Sequence, residues 1–413
     1  MEVGGRLWRG AISTSVHGSD FDLAPLPGIV QAIHLVGPGG KQYWVERREP
    51  ITDRERLAAL LPNIDKANII YDDDWFKSVL VSMGCMGIIY SLVIEVRDQF
   101  GLEEVRAGST WNTVRPLLAD GSLFTTLPAW LKANRKDSSL PFSPRWLEID
   151  VIAHPEENHD HVCFVRSRSE VSTEGLPPLP EAPAPDTGTL LGILASKDFS
   201  IFWDAVFNWG SDPVTLQLAK ITNAAETHDN AALVHDITGE LFKELLLAPS
   251  WLDVKGIGYQ IMDTYDYSKP PPEQWRVLSL EMGIDASDNG YLDFIDGLFA
   301  MIDQGIKAKK FFAGGFFIRF AGACEAYLAM QQTSRTCHIE MDLLKFADST
   351  NDLLGQFAAA TIAAGGRLHW GLNSTKMWST AYPNLPKWKA VLTALTNNGT
   401  MHTFENDFSV KFA

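Results

Sequence analysis

Gly10-Ala-Ile-Ser-Thr-Ser-Val-His17-Gly18, close to the start of the chain, is a run of small residues that closes on a histidine and a glycine. A second run, Ser82-Met-Gly84-Cys-Met-Gly87-Ile-Ile-Tyr90, stands between a polar turn and a β-branched segment. Short side chains let a backbone come close to a flat or charged ligand. Either run alone reads as a glycine-containing β-turn of the kind every sheet protein has. The two together, combined with the tail of the chain, carry the information.

The 413 residues, 46% of them hydrophobic, suffice for two packed domains. Acidic residues number 51 against 35 basic ones, a formal charge of -16. That balance argues against nucleic acid, which needs a basic footprint, and against a polybasic attachment to a membrane surface. Cys85, Cys163, Cys324 and Cys337 form no C-x-x-C pair and read as thiols of a reducing compartment. Met1 to Arg6 has no apolar signal-peptide core. The most apolar late stretch, Phe311 to Met330, is broken by Arg319 and Glu325, so no transmembrane segment is expected. A cytoplasmic protein is the expectation.

Gly28 to Val36 alternates as a strand, Gly37-Pro-Gly-Gly40 turns it, and Lys41 to Glu46 returns as a hairpin. Thr52 to Leu61 reads as a short helix capped by Thr52, with Glu55 completing a capping box. Gly87 to Val96 reads as a buried strand by its β-branched content. From about Glu103 strands mix with longer helices. Glu170 to Thr187, rich in Pro, Ser and Glu, reads as a solvated linker. Apolar spacing predicts helices over Leu190 to Phe207, Leu233 to Leu247, Tyr291 to Ile306 and Leu343 to Ala364. Strands are expected at Trp275 to Met282, Gly315 to Phe320 and Thr336 to Met341. The alternation points to an α+β layer, a mixed or antiparallel sheet covered by helices. His154, His159, His161 and Cys163 fit no zinc spacing and read as a loop entering a strand. No metal site is expected, and Asp72-Asp-Asp74 reads as a surface turn.

The tail offers Gly366-Arg-Leu-His369-Trp370-Gly371-Leu-Asn373, then Tyr382 to Trp388, then Gly399 to Asn406. With the two small-residue runs and the strand around Arg319, in that order, the chain resembles the FAD-linked oxidases of the vanillyl-alcohol-oxidase superfamily. Within it the chain is most similar to the sugar-lactone (D-arabinono-1,4-lactone) and alditol oxidases and to the covalent-flavin cholesterol oxidases. The resemblance implies an incomplete FAD-binding domain plus an α+β substrate domain: residues 1–104 as the second lobe, 105–373 as the substrate-binding cap, and 374–413 returning to the first unit. It implies FAD as cofactor, lined by Gly10, Thr14, Ser15, Val16, His17 and Gly18, with Gly84, Gly87, Ile88 and Ile89 at the adenine end. His17 is read as a hydrogen-bonding residue and not as a covalent attachment point.

Oxidising a CH–OH carbon needs a group to take the hydroxyl proton while hydride leaves for the flavin. The family's Glu-x-Arg pair on one strand face matches Phe317-Ile318-Arg319 here: the arginine is kept, the glutamate is phenylalanine, and the lysine of H-W-G-K is Leu372. Arg319 in an apolar strand needs a cavity or a partner, and Glu281 or Glu340 can be that partner, at a catalytic site or in a plain interstrand salt bridge. Glu281, Arg319, His369 and Asn373 are the candidate catalytic group. The two exchanges lean the cavity toward a lipophilic alcohol. The resemblance leads to the expectation that the family's first FAD lobe is missing here. Truncation, a partner chain supplying the lobe, and loss of FAD binding are the three readings. The expected substrate is an alcohol, lactone or sterol, with oxygen or a carrier accepting electrons. The alternative is a non-catalytic homologue that binds a lipophilic ligand.

Overall fold

The computed structural model describes residues 7–156, 158–180, 214–262, 277–312, 314–344, 347–372 and 381–412. The expected helix at Leu190 to Phe207, the linker from residue 181 onward, the start of the strand at Trp275, and Asn373 lie outside the described residues.

A four-stranded sheet comes first, from β1 (Val30–Val36), β2 (Gln42–Glu46), β3 (Ile69–Tyr71) and β4 (Ile88–Ile94), in the order β3-β2-β1-β4. β2 returns antiparallel to β1 through Gly39 and Gly40, whose φ of 70° and 76° a side chain would resist. β3 runs parallel to β2, and β4 antiparallel to β1, so this sheet is mixed. Helices α1 (Leu7–Ser13), α2 (Arg54–Leu60) and α3 (Asp73–Leu80) accompany it.

Three local expectations shift here. The cap of α2 is Asp53, whose carboxylate accepts from the Arg56 N–H at 2.9 Å. Thr52 is drawn away because the buried Glu46 carboxylate at the end of β2 takes its hydroxyl, together with the Ile51 N–H at 2.7 Å and Trp44 Nε1 at 2.5 Å. β4 is an edge strand with a single packed face: Ile89 is buried, but Ile88 and Tyr90 are 52% and 62% exposed. β-branched content reports a fit to the pleat, not burial on both sides. Asp72 is not in a free turn but caps α3, accepting from the Trp75 N–H at 3.0 Å, with Asp73 and Asp74 in the first turn.

The second sheet has eight strands, every neighbouring pair antiparallel: β5 (Gly101–Thr110), β6 (Pro144–Ile152), β7 (Val162–Val171), β8 (Asp253–Ile257), β9 (Val277–Asp285), β10 (Gly315–Gly322), β11 (Arg335–Leu344) and β12 (Arg367–Leu368). Their order is β12-β9-β11-β10-β6-β7-β5-β8. Among the described residues the remaining helices are α4 (Trp111–Ala119), α5 (Ala129–Lys132), α6 (Val214–His228), α7 (Ala231–Leu246), α8 (Gly258–Met262), α9 (Gly290–Lys307), α10 (Thr350–Ala363), α11 (Leu385–Leu395) and α12 (Asp407–Phe412). Together the two sheets and their helices make an α+β fold. α10 starts later than apolar spacing suggests, because Leu343 and Leu344 complete β11 opposite Leu278 and Val277.

Strand residues alternate between faces. One face of the large sheet carries Leu147, Ile149, Val151, Val165, Leu280, Met282, Phe316, Ile318, Ile339 and Met341, packed with residues of α4, α9 and α10 into one core. His161, between β6 and β7, stacks on Phe299 of α9 at 3.9 Å and is buried there. Cys324 to Ala329, after β10, and the segment from Ala381 through α11 join the core of the small sheet beside Ile33, Leu35, Phe76 and Ile89. Trp388 Nε1 donates to the Val81 carbonyl at 3.1 Å, and the Tyr327 N–H to the Lys77 carbonyl at 3.0 Å. All four cysteines are buried and unpaired. Among the described residues no helix is long and apolar enough to cross a membrane.

Candidate functional site

The other face of the large sheet is charged. Register places Glu281 of β9 opposite Glu340 of β11, Glu340 opposite Phe317 of β10, and Arg319 opposite both His338 and Glu148. Glu148 faces Arg166 of β7, which faces Arg106 of β5, while Arg168 faces Glu104. Directly opposed strand residues share a face, so acids and guanidiniums cross the sheet in one continuous band. Arg166 Nη2 lies 3.0 Å from Glu148, Arg106 Nε donates to Glu104 at 2.6 Å, and the Arg168 guanidinium sits 3.8 Å over the Trp146 ring. The pull of Arg168 and Arg106 outweighs the cost of burial at Glu104 and holds its carboxyl down at about 2, whereas burial pushes Asp150 up to about 7. Phe317 itself stacks with Phe242 at 5.7 Å. Phe317, one of the two exchanges behind the lean toward a lipophilic alcohol, thus stands on a charged sheet face.

At one end of the band the chain start reaches the sheet. The segment after His17 runs beside β6 and β10: Ser19 Oγ accepts from the Phe320 N–H at 3.2 Å, and the Leu147 N–H donates to the Ser19 carbonyl at 3.2 Å. This sets the His17 ring on His338, centroids 3.4 Å apart and planes 24° from parallel. His17 Nε2 lies 2.6 Å from Glu281 Oε1 and Nδ1 lies 2.6 Å from the Gly18 carbonyl, so both ring nitrogens are engaged. Arg319 Nη2 reaches the same Glu281 oxygen at 3.4 Å and also bonds Glu340. Burial would raise the Glu281 carboxyl, but His17, Arg319 and His338 together hold it well below the usual range. Burial, with His17 and Arg319, keeps His338 neutral, its affinity for a proton far below that of a free imidazole. Gln331 Nε2 donates to His338 Nε2 at 3.1 Å while its Oε1 accepts from Ser15 Oγ at 2.9 Å, so Ser15 orients the ring through the amide. His369 is buried, its backbone N–H on the Glu281 carbonyl at 3.0 Å, and burial lowers its ring's affinity for a proton as well.

The small-residue runs meet. The Met83 N–H donates to the Ser13 carbonyl at 3.3 Å, and Asn406 Nδ2 donates to the Met83 carbonyl at 3.0 Å. Gly10 is the exposed middle of α1, not part of a turn, and Thr14 returns its hydroxyl to the Gly10 carbonyl at 2.9 Å. Ser15, at φ 64°, and Val16 lead to His17, and the Val16 carbonyl accepts from the Leu26 N–H at 3.0 Å. Around the Cβ positions of Gly10, Gly18 and Gly84 there is nothing within 4 Å. Gly87 differs: at φ 138° its Cβ would stand 2.5 Å from the Val36 carbonyl, so the hairpin of its own sheet accounts for that glycine. Ile89 is buried in the core and Ile88 faces outward.

His17, Glu281 and His338 offer donor atoms within 4.8 Å of one another, near enough to consider a metal. Imidazoles bind a metal in the ring plane, and two nearly parallel planes 3.4 Å apart do not converge on a shared ion. Arg319 already faces the only carboxylate of the three. The arrangement serves hydrogen bonding and charge storage instead. His338 and Gln331 escape a reading from single motifs, whereas Glu340 is one of the two partners expected for Arg319 and does contact it. The signal for His338 is its period-2 placement with Glu340 on one strand, together with a register that only the fold supplies.

No family model matches the chain, and no curated protein sequence does. Among solved structures, cholesterol oxidase from Brevibacterium sterolicum superposes with a TM-score of 0.60 at 10% identity, covering 98% of this chain and 74% of that one; a mutant form of it gives 0.60 at 11%. A solvent-stable cholesterol oxidase gives 0.56 at 11% identity, covering 98% and 75%. Nearly the whole chain thus takes the fold of the cholesterol oxidases.

Proposed function

We propose that this chain is an FAD-dependent oxidoreductase that oxidises the CH–OH group of an alcohol, sugar lactone or sterol, with oxygen or a carrier reoxidising the flavin. The observation that carries this reading is the meeting of the Gly10–Gly18 and Ser82–Gly87 runs, through Ser13 and Met83, beside a buried His17–Glu281–Arg319 cluster. The side-chain-free surfaces at Gly10, Gly18 and Gly84 fit a dinucleotide laid along backbone. Arg319 Nε, buried without a partner, is a donor ready for an anionic or carbonyl oxygen. In the proposed division, residues 1–104 and 374–413 hold the cofactor and 105–373 the substrate. Bound FAD would supply the two-electron acceptor. The chain's own part is to orient: Ser15 and Gln331 fix His338, His338 supports His17, and Glu281 holds Arg319 on the charged face of the sheet. Both ring nitrogens of His17 are engaged, which favours a non-covalent flavin.

Absorbance after reconstitution with FAD, before and after acid precipitation, tests the reading. Yellow protein that releases its flavin on precipitation is expected; protein that stays colourless in excess FAD overturns it. Given flavin, Arg319→Ala is expected to lose reduction by substrate while retaining bound FAD.

A further inference from the structure

By the resemblance, a carboxylate would stand two residues before Arg319, where this chain has Phe317. The residue directly across from Phe317, one strand over and on the same face, is Glu340, and its carboxylate bonds Arg319. We infer that Glu340 replaces the missing carboxylate across the register and takes the substrate hydroxyl proton at this site, an inference that rests on the oxidoreductase reading above.

Access separates the two carboxylates at Arg319. The Glu281 side chain is 5% exposed, and one oxygen is shared by His17 and Arg319. Glu340 and Arg319 are each 22% exposed, so these are the groups of the cluster that a substrate can touch. Their chemistry separates too. Glu281, held as an anion, gains little by accepting a proton. Glu340 is pushed up to about 7 by burial against the pull of Arg319, with Glu281 and Asp342, and Glu148 of β6, adding repulsion. A base near the working pH transfers protons best.

The step balances. The substrate O–H bond breaks as its proton joins a Glu340 oxygen, the carbinol C–H bond breaks as hydride carries both electrons to the flavin, and the C=O bond forms against Arg319. Neutral Glu340 then returns its proton to solvent.

The test compares the FAD-loaded wild type with Glu340→Gln and with the paired exchange Phe317→Glu plus Glu340→Phe. Xylitol, an aldono-1,4-lactone and micellar cholesterol serve as probes. Infrared difference spectra across neutrality are expected to show a protonated carboxyl band that titrates in wild type and vanishes in Glu340→Gln. Anaerobic flavin reduction by whichever probe reduces the wild type is expected to fall by about 10²–10⁴-fold in Glu340→Gln, with FAD affinity unchanged. The paired exchange should recover part of that loss. Wild-type reduction by Glu340→Gln with bound flavin, or a titrating band that survives the change, overturns the role of Glu340 alone. Failure of every form to bind FAD overturns the oxidoreductase reading, and this inference with it.

Discussion

His17 and His338 lie face to face, ring centroids 3.4 Å apart, and both address the same oxygen of Glu281, at 2.6 Å and 3.6 Å. Two stacked imidazoles repel when both are charged, and here one carboxylate lies beside both rings. Burial keeps His338 neutral on Gln331, while both nitrogens of His17 have partners. Removing the negative charge without removing the shape exposes what it holds. Glu281→Gln takes the carboxylate from His17 and leaves Arg319 with Glu340 alone as its counter-charge, at a side chain that is itself only 5% exposed. Breaking one partner of a buried charged pair costs about 3–5 kcal/mol, and a loss of that size in urea unfolding is expected. A loss below about 1 kcal/mol, the range of exposed pairs, would show that the cluster is solvated.

A second histidine makes a pH prediction whose sign is fixed by burial. His154 is 3% exposed, accepts from the Phe312 N–H at 3.1 Å, and leaves Nδ1 unpartnered. Burial first, then His235 and His161, lowers its affinity for a proton from 6.5 to about 3. The folded state therefore binds fewer protons than the unfolded chain between those values. Stability from this group is full above the unfolded value of 6.5 and is lost as pH falls toward 3, at up to about 1.4 kcal/mol per pH unit. His154→Gln, which keeps an acceptor for Phe312, is expected to flatten that part of the pH dependence in denaturant midpoints taken across the window. Equal slopes for the two proteins would place the acid sensitivity elsewhere.

Period and composition carried the elements with local causes. β1 and β2 follow from alternation and a glycine turn, α7 and α9 from apolar spacing, and the α+β class from their sum. Where a residue answers to a distant partner, local reading slips. Thr52 looks like a cap until Glu46 claims its hydroxyl, and Leu343 looks helical until β9 pairs with it. Arg319 declares its need of a partner by standing charged in an apolar strand, but the choice between Glu281 and Glu340 is a matter of register. Both contact it, in different surroundings. The charged band has a faint local sign, acids and bases two apart at Glu104 and Arg106, Glu148 and Asp150, Arg166 and Arg168. Its continuity across the sheet becomes visible only when the strand order is known.

Two glycines that look alike in sequence separate the needs of the fold from those of a ligand. Gly10 sits in helix α1, exposed, with nothing within 4 Å of where a Cβ would stand. Alanine there removes backbone freedom from the unfolded chain and is expected to stabilise by about 0.5–1 kcal/mol. Gly87 holds φ 138°, and an added Cβ would press the Val36 carbonyl at 2.5 Å. Alanine there must move backbone as well as adopt a disfavoured conformation, so a loss of about 1–3 kcal/mol or more is expected. FAD titration reads the other half. If a dinucleotide lies against α1, the methyl of Gly10→Ala enters the space it would occupy, and affinity falls although stability rises. Gly10→Ala protein that is more stable and binds FAD as tightly as wild type would remove this run from the cofactor site and leave it a helix end that happens to be rich in small residues.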